Sequence, residues 1–165
     1  MNIIVACDKN FAIGNKGNLL CHLTNDLKFF KEKTMNKVVV MGRKTAESLP
    51  NGCPLKNRKN YVLTRNLSTL NKGFIGVKGI GELTLKLAKE NHEDVWIIGG
   101  GEIYKLFYPF CDDLYVTEID KEFEADTFFV DYKAKREWVE HSRSKTMEEN
   151  GIKYSFVHYK RKQKK

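Results

Sequence analysis

This chain of 165 residues has no long hydrophobic run and no CxxC pair. The only early apolar segment, Ile3 to Cys7, has the length of a strand, not of a membrane span or a signal-peptide core. A cytoplasmic protein with no membrane partner is expected. Its four cysteines, at positions 7, 21, 53 and 111, have no nearby histidine at metal-ligand spacing, so reduced thiols and no metal site are expected. Cys7 and Cys111 read as buried packing residues. Internal repeats, low-complexity linkers and compositional breaks are also absent. A single domain over residues 1–165 follows, since 41% hydrophobic and 12% aromatic content supplies one core at this length.

Two nucleotide signatures are missing as well. No glycine stands five residues before Gly42, so Met41-Gly42-Arg43-Lys44-Thr45 lacks Walker A spacing, which argues against a hydrolytic P-loop. In Gly99-Gly100-Gly101 the place of the third Rossmann glycine is taken by Tyr104, which argues against the ordinary NAD fold. The formal charge is +8, but five basic residues crowd the last six positions, and without them the chain carries +3. Residues 160–165 therefore read as a solvated, frayed basic end. The remaining excess suits a cleft for anionic small molecules and requires no nucleic acid.

Strand-like runs alternate with helical patterns. Ile3 to Cys7, Lys37 to Met41, Asn60 to Thr64, Phe74 to Val77 and Val95 to Ile98 read as strands. Between them lie helices around Asp26, after Arg43, through Ile80, Leu83 and Leu87, and from about Glu102. Apolar strands alternating with helices predict an α/β fold: a mixed, mostly parallel twisted sheet with helices on both faces. Leu114 to Ile119 adds a strand, and Glu137 to Met147 and Ile152 to Tyr159 flank Asn150-Gly151, the signal of a C-terminal antiparallel hairpin at one sheet edge.

Asp26 interrupts an apolar stripe. Leu23, Asp26, Leu27 and Phe30 fall on one face of a 3.6-residue period, where folding alone favours an apolar side chain. With Thr24 as N-cap, Asp26 would answer the helix dipole. Facing a pocket, it would bind a polar heterocycle or assist a proton transfer. Desolvation raises a carboxyl pKa by up to about 3 to 5, whereas the dipole lowers it by less than about one; burial wins. Residues 8–22, with Gly14 and Gly17 and little periodicity, read as a long loop placed to act as a lid. The three glycines, Arg43-Lys44-Thr45 and Thr64-Arg65 each follow a strand, where open α/β sheets bind ligands, and together point to one multiply phosphorylated ligand. Arg58, in a turn-rich connection, suits a planar carboxylate.

These pieces occur together in one family. On Ile13-Gly14, Asp26-Leu27-Lys28-Phe29-Phe30, Val40 to Ser48, Arg58-Lys59-Asn60, Ile97 to Gly101, Leu114 to Thr117 and Asp126-Thr127, the chain resembles dihydrofolate reductase from end to end. The resemblance implies reduction of dihydrofolate to tetrahydrofolate by NADPH, in a monomer whose partners are small molecules. It implies that Asp26 hydrogen-bonds the pterin and promotes protonation of its ring nitrogen, with Thr117 tied to the carboxylate. Val5, Ala6, Leu27, Phe30, Leu49 and Ile98 would wall the pterin and benzoyl pocket, and Arg58 would grip the glutamate carboxylate. Ala6, Ile13, Gly42, Arg43, Lys44, Thr45, Gly99, Gly100, Gly101, Glu102, Ile103 and Tyr104 would border the cofactor, with Thr64 and Arg65 reading its 2′-phosphate.

Three positions depart from the family pattern. Leu20-Cys21-His22 stands where relatives usually carry Pro-Trp, which removes an indole that packs on substrate and holds a water. Ala46 replaces a common tryptophan. Glu102 follows the glycines where some relatives place a basic residue, and is expected to point outward, away from a pyrophosphate. Two rivals remain: a same-fold reductase of riboflavin synthesis, which needs no pairing of Asp26 with Arg58, and a nucleic-acid-binding module using the basic tail, which has no recognised motif.

Overall fold

Val38, Val39, Val40 and Met41 are each at most 6% exposed, as a strand interior to a sheet covered on both faces requires. They belong to β3 (Val38–Gly42) in the computed structural model, which describes residues 1–163. In chain order the other elements are β1 (Asn2–Cys7), β2 (Ala12–Gly14), α1 (Thr24–Thr34), α2 (Arg43–Ser48), β4 (Lys59–Leu63), β5 (Ile75–Val77), α3 (Ile80–Leu87), β6 (Val95–Gly99), α4 (Gly101–Phe107), β7 (Asp113–Ile119), β8 (Thr127–Phe128), β9 (Trp138–Arg143), β10 (Met147–Glu149) and β11 (Ile152–Arg161).

One sheet runs in the order β10-β11-β7-β1-β6-β3-β4-β5, with β9 also on β11. From β7 to β5 every neighbouring pair is parallel, and β11 turns antiparallel against β7. This is the mostly parallel sheet with an antiparallel edge that the sequence predicts. Its two faces bury different residues because successive side chains of a strand point oppositely. Ile3, Val5, Val40 and Ile97 pack with Leu83 and Leu87 of α3 and Ile103 and Phe107 of α4. Ile4, Val39, Met41 and Trp96 pack with Phe29 and Phe30 of α1 and Ala46 of α2.

The hairpin forms at Asn150-Gly151, whose φ values of 53° and 78° are those a two-residue primed turn needs. The stretch before it, expected as one strand, is two. Between β9 and β10, Ser144 breaks the ladder: its hydroxyl accepts the Phe156 N–H at 2.9 Å, where a backbone carbonyl would otherwise stand. The basic end is corrected too. Lys160 and Arg161 finish β11, and Arg161 is fastened by Glu137 at 2.8 Å, by the carbonyls of Cys111 and Tyr108, and by the Trp138 ring 4.3 Å away. An arginine that lays its guanidinium over an aromatic ring and satisfies its fork does not fray. Lys164 and Lys165 lie outside the described residues.

Candidate active site

Three strand ends stand side by side. β6, β3 and β4 are consecutive in the sheet and parallel, so Gly99-Gly100-Gly101, Gly42 to Thr45, and Thr64-Arg65 emerge at one edge. Gly99 has φ of 125°, a conformation that side chains oppose. A Cβ on Gly101 would stand 3.1 Å from Thr127, and one on Gly100 would stand 3.5 Å from the Thr45 hydroxyl. The backbone is bare where these turns meet. A Cβ on Gly42 would meet Ile103 at 3.1 Å, so Ile103 supports the first turn from below.

The charged groups at this edge differ in their freedom. Arg43 pairs with Glu47 one helical turn on, at 2.8 Å. Lys44 and Arg65 are exposed and form no ion pair among the described residues. Thr64 is buried, and its hydroxyl accepts the Asn66 N–H at 3.2 Å, so it shapes the turn that carries Arg65. Tyr104 is also buried, its hydroxyl donating to the Ile4 carbonyl at 2.8 Å; it anchors α4 to β1 beneath the glycines. Glu102 is exposed, as expected. Ile13 approaches Gly101 from the loop side.

Next to this edge, α1 carries Asp26 across the ends of β1 and β7. Thr24 is the first helical residue, not the N-cap; Leu23 holds that place at φ −121° and ψ 113°. Asp26 is half-buried, and its Oδ1 accepts the Thr117 hydroxyl of β7 at 2.5 Å. Burial pushes the Asp26 carboxyl above the usual carboxylate range, and the Thr117 bond opposes that push without cancelling it. Oδ2 has no hydrogen-bond partner among the described residues.

An apolar cluster lies on the same side of the sheet as α1. Phe30, Leu49 and Ile98 lie on the α1 face of the sheet, joined by Leu55, which the sequence reading missed for want of any periodicity around it. Ala6 packs with Cys21 and Leu23 nearby. Leu27 remains 47% exposed beside Asp26 on the helix. Val5 requires correction: it packs with Ile3 and Cys7 on the opposite face, so only its backbone can border the pocket, and Ile4 takes the inward position. In a strand buried on both sides, the alternation that separates the faces leaves no mark in the sequence.

Arg58 sits where α1 ends. Its Nη1 donates to the Thr34 hydroxyl at 3.1 Å and its Nε to the Lys56 carbonyl at 3.0 Å, which fixes the guanidinium and leaves Nη2 unengaged among the described residues. The loop of residues 8–22 is held at its base. β2 pairs with β8, Asp126 accepts the Lys16 N–H at 2.9 Å, and Asp8 accepts N–H groups from Ala12 and Phe123. Cys21 is half-buried, and burial first, then the Asp26 charge, pushes its thiol pKa up, so it stays neutral. Among the described residues no group of three or more His, Cys, Asp or Glu could hold a metal ion, and no helix is long and apolar enough to cross a membrane.

A family model described as dihydrofolate reductase matches residues 1–161. The chain belongs to the dihydrofolate reductase family. It is 38% identical to the dihydrofolate reductase of Neisseria gonorrhoeae over 160 residues, covering 96% of both chains. It is 36% identical to that of Bacillus subtilis (strain 168) over 163 residues, covering 98% of this chain and 95% of the relative. A solved dihydrofolate reductase from Enterococcus faecalis, complexed with NADP(H) and RAB-propyl, superposes with a TM-score of 0.84 at 34% identity, covering 98% of this chain and 96% of that one. The departures from the dihydrofolate reductase pattern are accommodated locally. Ala46 is buried in the cluster against which Leu49, Leu55 and Phe74 also pack, and Cys21 packs against the cluster that holds Leu23.

Proposed function

We propose that this protein reduces 7,8-dihydrofolate to 5,6,7,8-tetrahydrofolate, with NADPH as the hydride donor. The observation that carries the reading is Asp26: a carboxyl held by Thr117, with its pKa raised by burial, beside a strand edge bare of side chains. The residues suit the cofactor. Gly100 and Gly101 let a pyrophosphate approach the backbone closely, and Lys44 and Arg65, unpaired among the described residues, are cations at the same edge. Arg65 is the reader of a 2′-phosphate, which favours NADPH over NADH, with Thr64 shaping the turn that presents it. NADPH supplies the hydride chemistry when bound.

The chain's own work is alignment and proton management. Phe30, Leu49, Leu55 and Ile98 exclude water and fix the pterin plane against the glycine edge, an effect worth up to about 7 to 11 kcal/mol in ideal intramolecular systems. Asp26 Oδ2 takes the pterin amino group and the adjacent ring nitrogen as hydrogen-bond donors. That bonding favours protonation of the reacting ring nitrogen, the proton being delivered through water. Arg58 holds the substrate's terminal carboxylate with the guanidinium edge that Thr34 and Lys56 leave open.

Every group in this account comes from one chain, which suits a monomer, and four free cysteines suit the cytoplasm. The test is loss of NADPH absorbance on mixing folded protein with dihydrofolate. Turnover that requires both reactants is expected, and folded protein without turnover overturns the reading.

A further inference from the structure

Helix α1 begins without a cap of its own, because Leu23 at the N-cap place contributes no side-chain bond. The first N–H groups of a helix have no partner within it. The one on Thr24 is met from far along the chain: the two carboxylate oxygens of Glu149 accept it at 3.0 and 2.8 Å. Asn25 then donates from its Nδ2 to the Tyr154 hydroxyl at 3.3 Å, and Asp26 accepts from Thr117. Three consecutive helical residues are thus bonded to three neighbouring strands, β10, β11 and β7, in sheet order. The register makes this possible, with Tyr154 opposite Met147 on one side and Ile119 on the other.

We propose that Glu149 is a positioning residue for dihydrofolate reduction: its carboxylate pins the first turn of α1 and thereby sets the direction in which Asp26 meets the pterin. The inference rests on the catalytic reading of Asp26. A carboxylate is well suited to the task. It meets the positive end of the helix dipole, and an N–H bonded to a charged acceptor is held more firmly than one bonded to a neutral acceptor. Glu149 lies outside every motif that carries the family resemblance.

The test is a four-membered kinetic comparison: the unaltered protein, Glu149→Ala, Thr24→Pro, and the double variant. Glu149→Ala is expected to lower kcat/KM for dihydrofolate roughly 2- to 30-fold, the loss of a helix cap expressed as a rate, with KM for NADPH unmoved. Thr24→Pro removes the N–H that Glu149 serves. Proline suits the first helical position, and Leu23 already has the extended backbone that precedes proline. In that background Glu149→Ala is expected to cost nothing further. A merely stabilising Glu149 would lower the melting temperature and leave the kinetics alone, which overturns the proposal. Equal loss in both backgrounds, or equal loss for NADPH, also overturns it. Should Glu149→Ala fail to fold, the double variant decides: matching Thr24→Pro supports the tether, and failing to fold refutes it. An unaltered protein without turnover defeats the catalytic reading itself, whereas an active protein indifferent to Glu149→Ala defeats only this inference.

Discussion

The Thr117 hydroxyl stands 2.5 Å from Asp26 Oδ1, joining the substrate helix to the strand beneath it. This single bond fixes one oxygen of the acid and leaves the other free. Thr117→Val keeps the shape of the side chain and removes the donor. The expected result is a fall in kcat/KM for dihydrofolate of roughly 10- to 150-fold, the worth of a hydrogen bond to a charged group, with KM for NADPH unchanged. Steady-state kinetics with each reactant varied in turn checks it.

Burial of Asp26 has a measurable consequence for stability. Its folded pKa lies above the unfolded value, so its contribution is most favourable below the unfolded pKa, near about 3.9, and is lost as pH rises through the folded pKa. Asp26→Asn retains an oxygen for Thr117 and cannot ionise. Its melting temperature relative to the unaltered protein should therefore climb as pH rises from acid and level off above the folded pKa. A difference that stays flat with pH would place Asp26 in a solvated setting.

Much of this arrangement was legible in the sequence, for identifiable reasons. Asp26 announced itself by breaking an apolar stripe, and Asn150-Gly151 by a backbone requirement that few residues meet. The three strand ends could be aligned because parallel strands put equivalent turns at one edge. What stayed hidden was long-range or two-faced. Lys16 meets Asp126, and Thr24 meets Glu149, across more than half the chain, and no local pattern encodes either bond. Val5 and Ile4 could not be assigned to faces, because both are buried and both apolar. Arg161 read as part of a charged tail because its aromatic and carbonyl partners lie on other elements.

Arg58 is held by Thr34 and Lys56 in a fixed orientation. Arg58→Leu should weaken dihydrofolate binding by roughly 1.5 to 3 kcal/mol and leave NADPH binding unaltered. Titration of each ligand separately distinguishes them, and an equal loss for both would misplace the residue. Arg58→Lys should not restore binding, since an ammonium cannot present the guanidinium fork.

Arg65 is exposed at the end of β4 and unpaired among the described residues. Arg65→Ala should raise KM for NADPH roughly 10-fold or more and leave KM for NADH where it was, so that the preference between the two narrows. A parallel rise for both cofactors would show that Arg65 does not read the 2′-phosphate.

The most direct test of the central claim is the rate of hydride transfer in Asp26→Asn against the unaltered protein, followed in a single turnover from acid to neutral pH. If Asp26 manages the proton, the variant is slower at neutral pH by roughly 10²- to 10⁴-fold and recovers part of that loss in acid, where solvent protonates the substrate. Equal rates at neutral pH would contradict the account.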